Sequence, residues 1–242
     1  MIPGMRTFQV IAALLHYPDE ALWRHVDQLR QTLAEEAVLS TVEREAFDAF
    51  LDDLVAHDPI DAQARYVETF DRGRARSLYL FEHVHGESRD RGQAMVELTR
   101  LYRQHGYAIS ARELPDYLPL YLEFLSQLPS HEALERLAEI GALVQHLHAQ
   151  LAERGNVHAV LLEPLLRLCG LSSDDRLLRE RVAAEAPDDT PAALDAVWME
   201  APVTFGAQGE AGCGSGPQRV ERPVRWQEHR APGNRAQHGG GK

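Results

Sequence analysis

Residues 113–129 read ELPDYLPLYLEFLSQLP, and this run decides the fold class. With Asp116 as the cap, Pro119 falls in the first helical turn, where its missing N–H would have had no intrahelical partner anyway. Leu118, Tyr121, Leu122 and Leu125 then form one apolar face, and Tyr117, Leu120 and Phe124 form a second. A helix apolar on two faces belongs in the middle of a helical domain. Asp116 and Glu123, seven residues apart, fall on roughly one side and add a line of carboxylates to an aromatic-rich helix.

Outward from this helix, apolar residues recur at spacings of three and four up to about residue 200, and no segment shows sustained two-residue alternation. Ser40 and Glu43 form a capping box for a helix with Val42, Ala46, Phe47, Phe50, Leu51 and Leu54 as its apolar set. Asp58-Pro59 and Thr190-Pro191 each place a capping side chain before a proline at the first helical position. Ser130 caps a long helix, HEALERLAEIGALVQHLHAQLAER, that Gly155 closes, and Gly106 and Gly170 are further stops. Pro164 inside VLLEPLLRL predicts a kink or a split. The expectation is an all-α, single helical-bundle domain of about nine or ten helices over residues 1–205. A flexible Gly/Arg-rich tail, disordered by composition, follows over 206–242.

The chain has 242 residues, 44% of them hydrophobic, enough for a core without metal or disulfide staples. Its formal charge is −12, but the last 25 residues carry +4, so residues 1–217 carry −16. Such a field disfavours nucleic acid and anionic lipid and draws in cationic segments. Cys169 and Cys213 lie far apart with no zinc-like spacing. The short apolar run at the N-terminus has no cleavage site after it, and no stretch approaches the roughly 18 apolar residues of a membrane span. A cytoplasmic location is expected.

Motifs for phosphate loops, dinucleotide sites and nucleophile elbows are absent from the sequence, which argues against an enzyme. FEHVHGE gathers Glu82, His83, His85 and Glu87, a metalloprotein alternative, but a di-iron bundle needs the Glu-x-x-His pair twice and there is no second copy. His146 and His148 are two apart on a helix and point different ways. The helix at 118 admits two readings: a core helix with two surface acids, or an apolar groove edged by carboxylates and suited to an amphipathic peptide bearing Arg or Lys. Arg72, Arg74 and Arg76, within a body so acidic, are expected to pair with internal carboxylates and order the loop around them.

Residues 66–98, YVETFDRGRARSLYLFEHVHGESRDRGQAMVEL, together with ELPDYLPLYLEFL at 113–125, resemble the NarJ-type family, the delta-subunit assembly chaperones of respiratory nitrate reductase, within the wider group of molybdoenzyme maturation chaperones. The second segment is similar to the wider group's short acidic-proline motif, with Leu114 inserted before Pro115 and Tyr117 standing where that motif has His. The resemblance spans about residues 5–205.

It implies a cytoplasmic chaperone without catalytic or metal-ligating residues and without a permanently bound cofactor. Its partner would be the N-terminal segment of the nitrate reductase α subunit, with the molybdenum cofactor insertion machinery as a further partner, and the client would receive molybdenum cofactor and iron-sulfur clusters. Another molybdoenzyme client is the alternative. The expected client-binding residues are Glu113, Pro115, Asp116, Tyr117, Tyr121, Glu123 and Phe124. Tyr117, Tyr121 and Phe124 would meet the client's apolar face, and Glu113, Asp116 and Glu123 its cations. Tyr66, Phe70, Asp71, Arg72, His83, His85, Glu87, Asp90 and Arg91 form the motif segment expected to contact the client or order the loop.

Overall fold

The computed structural model describes residues 6–85, 89–109 and 113–198. Among them are twelve α-helices: α1 (Arg6–Leu15), α2 (Glu20–Glu36), α3 (Thr41–Ala56), α4 (Pro59–Phe70), α5 (Glu82–His85), α6 (Arg89–Gln104), α7 (Leu118–Ser126), α8 (Ser130–Glu139), α9 (Gly141–Glu153), α10 (Ala159–Leu168), α11 (Arg176–Ala183) and α12 (Pro191–Trp198). A 3-10 turn, Arg74–Arg76, lies between α4 and α5. The described residues contain no strand, only an isolated antiparallel bridge between Tyr79 and Tyr117. The fold is all-α. The expected tail, Cys213 and Glu87 lie outside the described residues, and no helix among those described is long and apolar enough to cross a membrane.

The sequence reading undercounts the helices because tertiary contacts break what periodicity joins. The long helix expected from Ser130 to Gly155 ends at Glu139 and restarts at Gly141. At Gly141 a Cβ would sit 3.0 Å from the Leu171 side chain and 3.4 Å from Cys169 Sγ, so the chain after α10 closes onto a position that has no side chain. Ser130 itself does not cap, since Pro129 occupies the N-cap. The cap of α7 is Tyr117 rather than Asp116, which turns inward.

Other local signals hold. Ser40 and Glu43 complete their capping box, Asp58 accepts from Ile60 N–H, and Thr190 Oγ1 accepts from Ala193 N–H at 3.2 Å. Gly106, Gly155 and Gly170 all adopt positive φ where helices stop. Val42 departs from expectation: it is 73% exposed, and Glu43 is buried in its place, paired with Arg167 at 2.8 Å. Nor does Pro164 split α10, which runs on unbroken through it. Leu161, Leu162, Leu165 and Leu166 around it are fully buried. Four such burials at about 1.5–3 kcal/mol each outweigh the roughly 3 kcal/mol of an interior proline.

α1 and α7 form the centre. Phe8, Ile11 and Leu15 of α1 and Leu118, Leu122 and Leu125 of α7 have no exposed area, and α1 also packs on α2 and α10. The first N–H groups of α1 are satisfied from a distance: buried Glu36 accepts from Arg6 N–H at 2.8 Å and from both the N–H and the hydroxyl of Thr7. A carboxylate at a helix N-terminus is also favourable to the helix dipole. Further along, Asp188 Oδ2 accepts from Ala75 N–H at 2.7 Å, while Asp189 pairs with Arg76 at 2.9 Å and with Arg154 at 2.5 Å. These contacts fasten the segment after α11 onto the 3-10 turn.

Candidate functional site

The two segments singled out in the sequence meet in space. Leu118 N–H donates to Leu78 O at 2.8 Å and Leu80 N–H to Asp116 O at 2.9 Å, so residues 78–80 lie alongside 116–118. Asp116 locks this contact. Its side chain has no exposed area; Oδ2 accepts from Phe81 N–H at 3.1 Å and lies 3.9 Å from Arg91, which also pairs with Glu82 at 3.3 Å. Burial raises the Asp116 carboxyl above its usual range, opposed by the Phe81 N–H and the Arg91 charge.

Beside this contact lies a cavity of about 190 Å³ bordered by His16, Tyr17, Tyr66, Phe70, Asp71, Leu78, Tyr79, Glu113 and Tyr117. The Tyr66 hydroxyl donates to Leu15 O at 3.1 Å and lies 3.1 Å from the Tyr117 hydroxyl, while the Tyr79 hydroxyl donates to Glu113 Oε2 at 2.8 Å. The rings interlock: Tyr79 and Tyr117 lie 5.3 Å apart, and the edge of Tyr17 meets Tyr66 at 5.5 Å. Burial, then the charges of Glu113 and Asp71, push the Tyr117 hydroxyl up to about 12 against the Tyr66 hydrogen bond. Asp71 is raised by burial and then by the charge of Glu113.

This cavity is one end of a longer depression. His16 and Tyr17 also border a second hollow of about 530 Å³ between α1 and α2, floored by Val10, Ala13, Leu22 and Leu29. Gln9 and Glu123 pass from that hollow into a third of about 410 Å³, walled by Tyr102, Tyr107, Ile109, Leu120 and Phe124. The groove follows the outer face of α1, whose ten residues span about 15 Å at 1.5 Å per residue. One end is acidic and tyrosine-lined, the other apolar and aromatic.

Of the residues expected to bind client, Glu113, Tyr117, Glu123 and Phe124 border this groove. Pro115, Asp116 and Tyr121 lie behind it: Pro115 O accepts from the Tyr102 hydroxyl at 2.7 Å, and the Tyr121 hydroxyl reaches Arg136 O at 3.3 Å. Since Asp116 is buried, the expected line of carboxylates from Asp116 to Glu123 is not present on the surface. From the motif segment, Tyr66, Phe70 and Asp71 border the groove. Arg72 instead turns to Glu68 at 3.5 Å, Asp90 is exposed, and Arg91 serves Asp116. Glu82 is taken by Arg91 and His83 Nε2 by Ser77 O at 2.8 Å, and no group of three or more metal-ligating side chains occurs among the described residues. Nothing is described for the side chains of His85 and Glu87. Sequence reasoning missed Gln9, His16, Tyr17, Tyr102, Tyr107 and Ile109. Tyr17 and Tyr107, aromatics placed just after helix ends and 41% and 39% exposed, carried the available signal.

Comparison with known proteins settles the family. Residues 17–161, more than half of the chain, match the model of the nitrate reductase delta subunit family. The chain belongs to the nitrate reductase delta subunit family. The matched part of this delta subunit family member contains every groove residue from Tyr17 onward. It is 52% identical over 205 residues, 85% of this chain and 86% of the other, to the nitrate reductase molybdenum cofactor assembly chaperone NarJ of Escherichia coli (strain K12). Identity is 42% over 215 residues, 88% of this chain and 89% of the other, to the probable nitrate reductase molybdenum cofactor assembly chaperone NarW of the same strain. To the probable NarJ chaperone of Bacillus subtilis (strain 168) it is 32% over 160 residues, 66% of this chain and 86% of the other.

Proposed function

We propose that this protein is a cytoplasmic assembly chaperone for the catalytic α subunit of a nitrate reductase, and that the groove along α1 seats the N-terminal segment of that client. Molybdenum cofactor and iron-sulfur clusters are cargo of the client; the chaperone holds the subunit competent to receive them before it docks at the membrane and keeps none itself. The relatives named as molybdenum cofactor assembly chaperones support the class of function. The observation that carries the binding reading is the groove itself, three hollows in a row with an apolar wall at one end and carboxylates along it.

An amphipathic helix lying in this groove would bury its apolar side against Leu120, Phe124 and Ile109 and turn cationic residues toward Glu123 and Glu113. Apolar burial at about 25 cal/mol per Å² governs affinity in such a contact, because exposed ion pairs contribute only about 0–1 kcal/mol each. Charge acts chiefly on encounter rate and on selection among clients.

Isothermal titration calorimetry of the full chain with a synthetic peptide of the N-terminal residues of its host's nitrate reductase α subunit, at two salt concentrations, tests the reading. Saturable one-to-one binding that weakens moderately with salt is expected. Absence of binding at either salt, with folded protein and soluble peptide, would refute the N-terminal segment as the ligand and turn attention to another molybdoenzyme.

A further inference from the structure

Resting on the groove reading above, we propose that the cavity beside Tyr79 and Tyr117 is an arginine pocket: one guanidinium of the bound segment enters between the tyrosine rings and is met by the carboxylates of Asp71 and Glu113.

Two independent features point there. The first is the wall. Tyr17, Tyr66, Tyr79 and Tyr117 surround a space of about 190 Å³, and the hydroxyls of Tyr66 and Tyr117 are engaged with each other and with Leu15 O. With those hydroxyls occupied, the rings are what the cavity offers, and aromatic rings attract cations. The second is charge that no described cation meets. Among the described residues, neither Asp71 nor Glu113 has a cationic side chain within ion-pair distance, although arginines are close in the chain. Arg72 turns away to Glu68, and Arg76 is buried against Asp189 and Thr69 O. The Tyr79 hydroxyl occupies Glu113 Oε2, and among the described residues no hydrogen bond engages Oε1. The two carboxylates sense one another, since the charge of Glu113 makes Asp71 harder to ionise, a strain that an arriving cation relieves.

Arginine suits this site better than lysine. Its planar guanidinium stacks on tyrosine, is weakly hydrated and donates in a fork to two acceptors, whereas an ammonium is compact and holds its water more tightly. An apolar side chain in the same place would bury two carboxylates without compensation.

The test uses the full chain and the N-terminal peptide of the host's nitrate reductase α subunit, with each arginine of the peptide replaced in turn by lysine and by citrulline, its neutral isostere. Titrations are repeated with Asp71→Asn and Glu113→Gln proteins. At one arginine, citrulline is expected to weaken binding to the unaltered protein by roughly tenfold and lysine by severalfold. Against either variant the citrulline effect should shrink to about twofold or less, as coupled partners require. The citrulline peptide should bind variants and unaltered protein alike, which also shows that the variants are folded. Failure of the unsubstituted peptide to bind would overturn the groove reading and the pocket with it. If the peptide binds but no arginine is coupled to Asp71 or Glu113, or if the bound segment has no arginine, the pocket is overturned and the groove stands.

Discussion

Asp116 shows how a residue picked out for one role can serve another. In ELPDYLPL it reads as an exposed cap and a client contact, but its acceptor function is directed at Phe81 N–H, 35 residues away, and at Arg91. No local pattern carries that information, because the partner is a backbone group in another segment. Replacing Asp116 by Ala removes the acceptor of the part-buried Phe81 N–H and the carboxylate beside Arg91, and should lower stability by about 1–3 kcal/mol in urea unfolding, with Asp116→Asn losing less. His158 makes a separate prediction. It is packed against Phe50 at 5.3 Å and Phe70 at 5.0 Å and donates from Nδ1 to Asn156 Oδ1 at 2.9 Å; burial pushes its pKa down from 6.5 to about 4. The folded state therefore keeps it neutral where the unfolded chain takes up a proton. Above pH 6.5 it adds no pH dependence, and as pH falls from 6.5 to about 4 it removes up to about 1.4 kcal/mol of stability per unit. His158→Gln should flatten the unfolding free energy over that window by this amount; an unchanged slope would mean that other groups set it.

Among the elements, those with strong local signals were legible and those placed by distant contacts were not. The capping box at Ser40, the Asp58-Pro59 start and the glycine stops all follow from backbone chemistry within four residues, and all are found. The cap of α1 is Glu36, thirty residues on, and the break at Gly141 answers to Leu171 and Cys169; neither is visible in a local window. The groove was half legible for the same reason. Glu113, Tyr117, Glu123 and Phe124 stood out as an aromatic and acidic run, but that residues 78–80 pair beside them, and that α1 supplies the floor, depends on tertiary packing. Gly73 tests one such long-range joint. A Cβ there would stand 2.6 Å from the Asp188 carboxylate, which holds Ala75 N–H. Gly73→Ala should displace Asp188 and lower stability by about 1–2 kcal/mol, with faster amide exchange at Ala75.

At the scale of the molecule, the fold places one helix, α7, at the centre and uses the outward face of its neighbour α1 as the floor of a groove. The inward faces of both helices are buried against each other, and on the proposed reading such a packed base keeps the groove preformed, so a bound segment is ordered without the domain having to be. On the proposed reading, the acidic body contributes on-rate and selection, while the apolar end contributes affinity. The most direct measurement of this arrangement is site-specific photocrosslinking with p-benzoylphenylalanine placed in turn at Gln9, which borders two of the hollows, and at Leu177, which is 74% exposed on α11, in cells producing the whole nitrate reductase α subunit. Crosslinks from Gln9 that map to the N-terminal segment of the client, with none from Leu177, are the predicted result; a captured client joined through Leu177 and not through Gln9 would contradict the account.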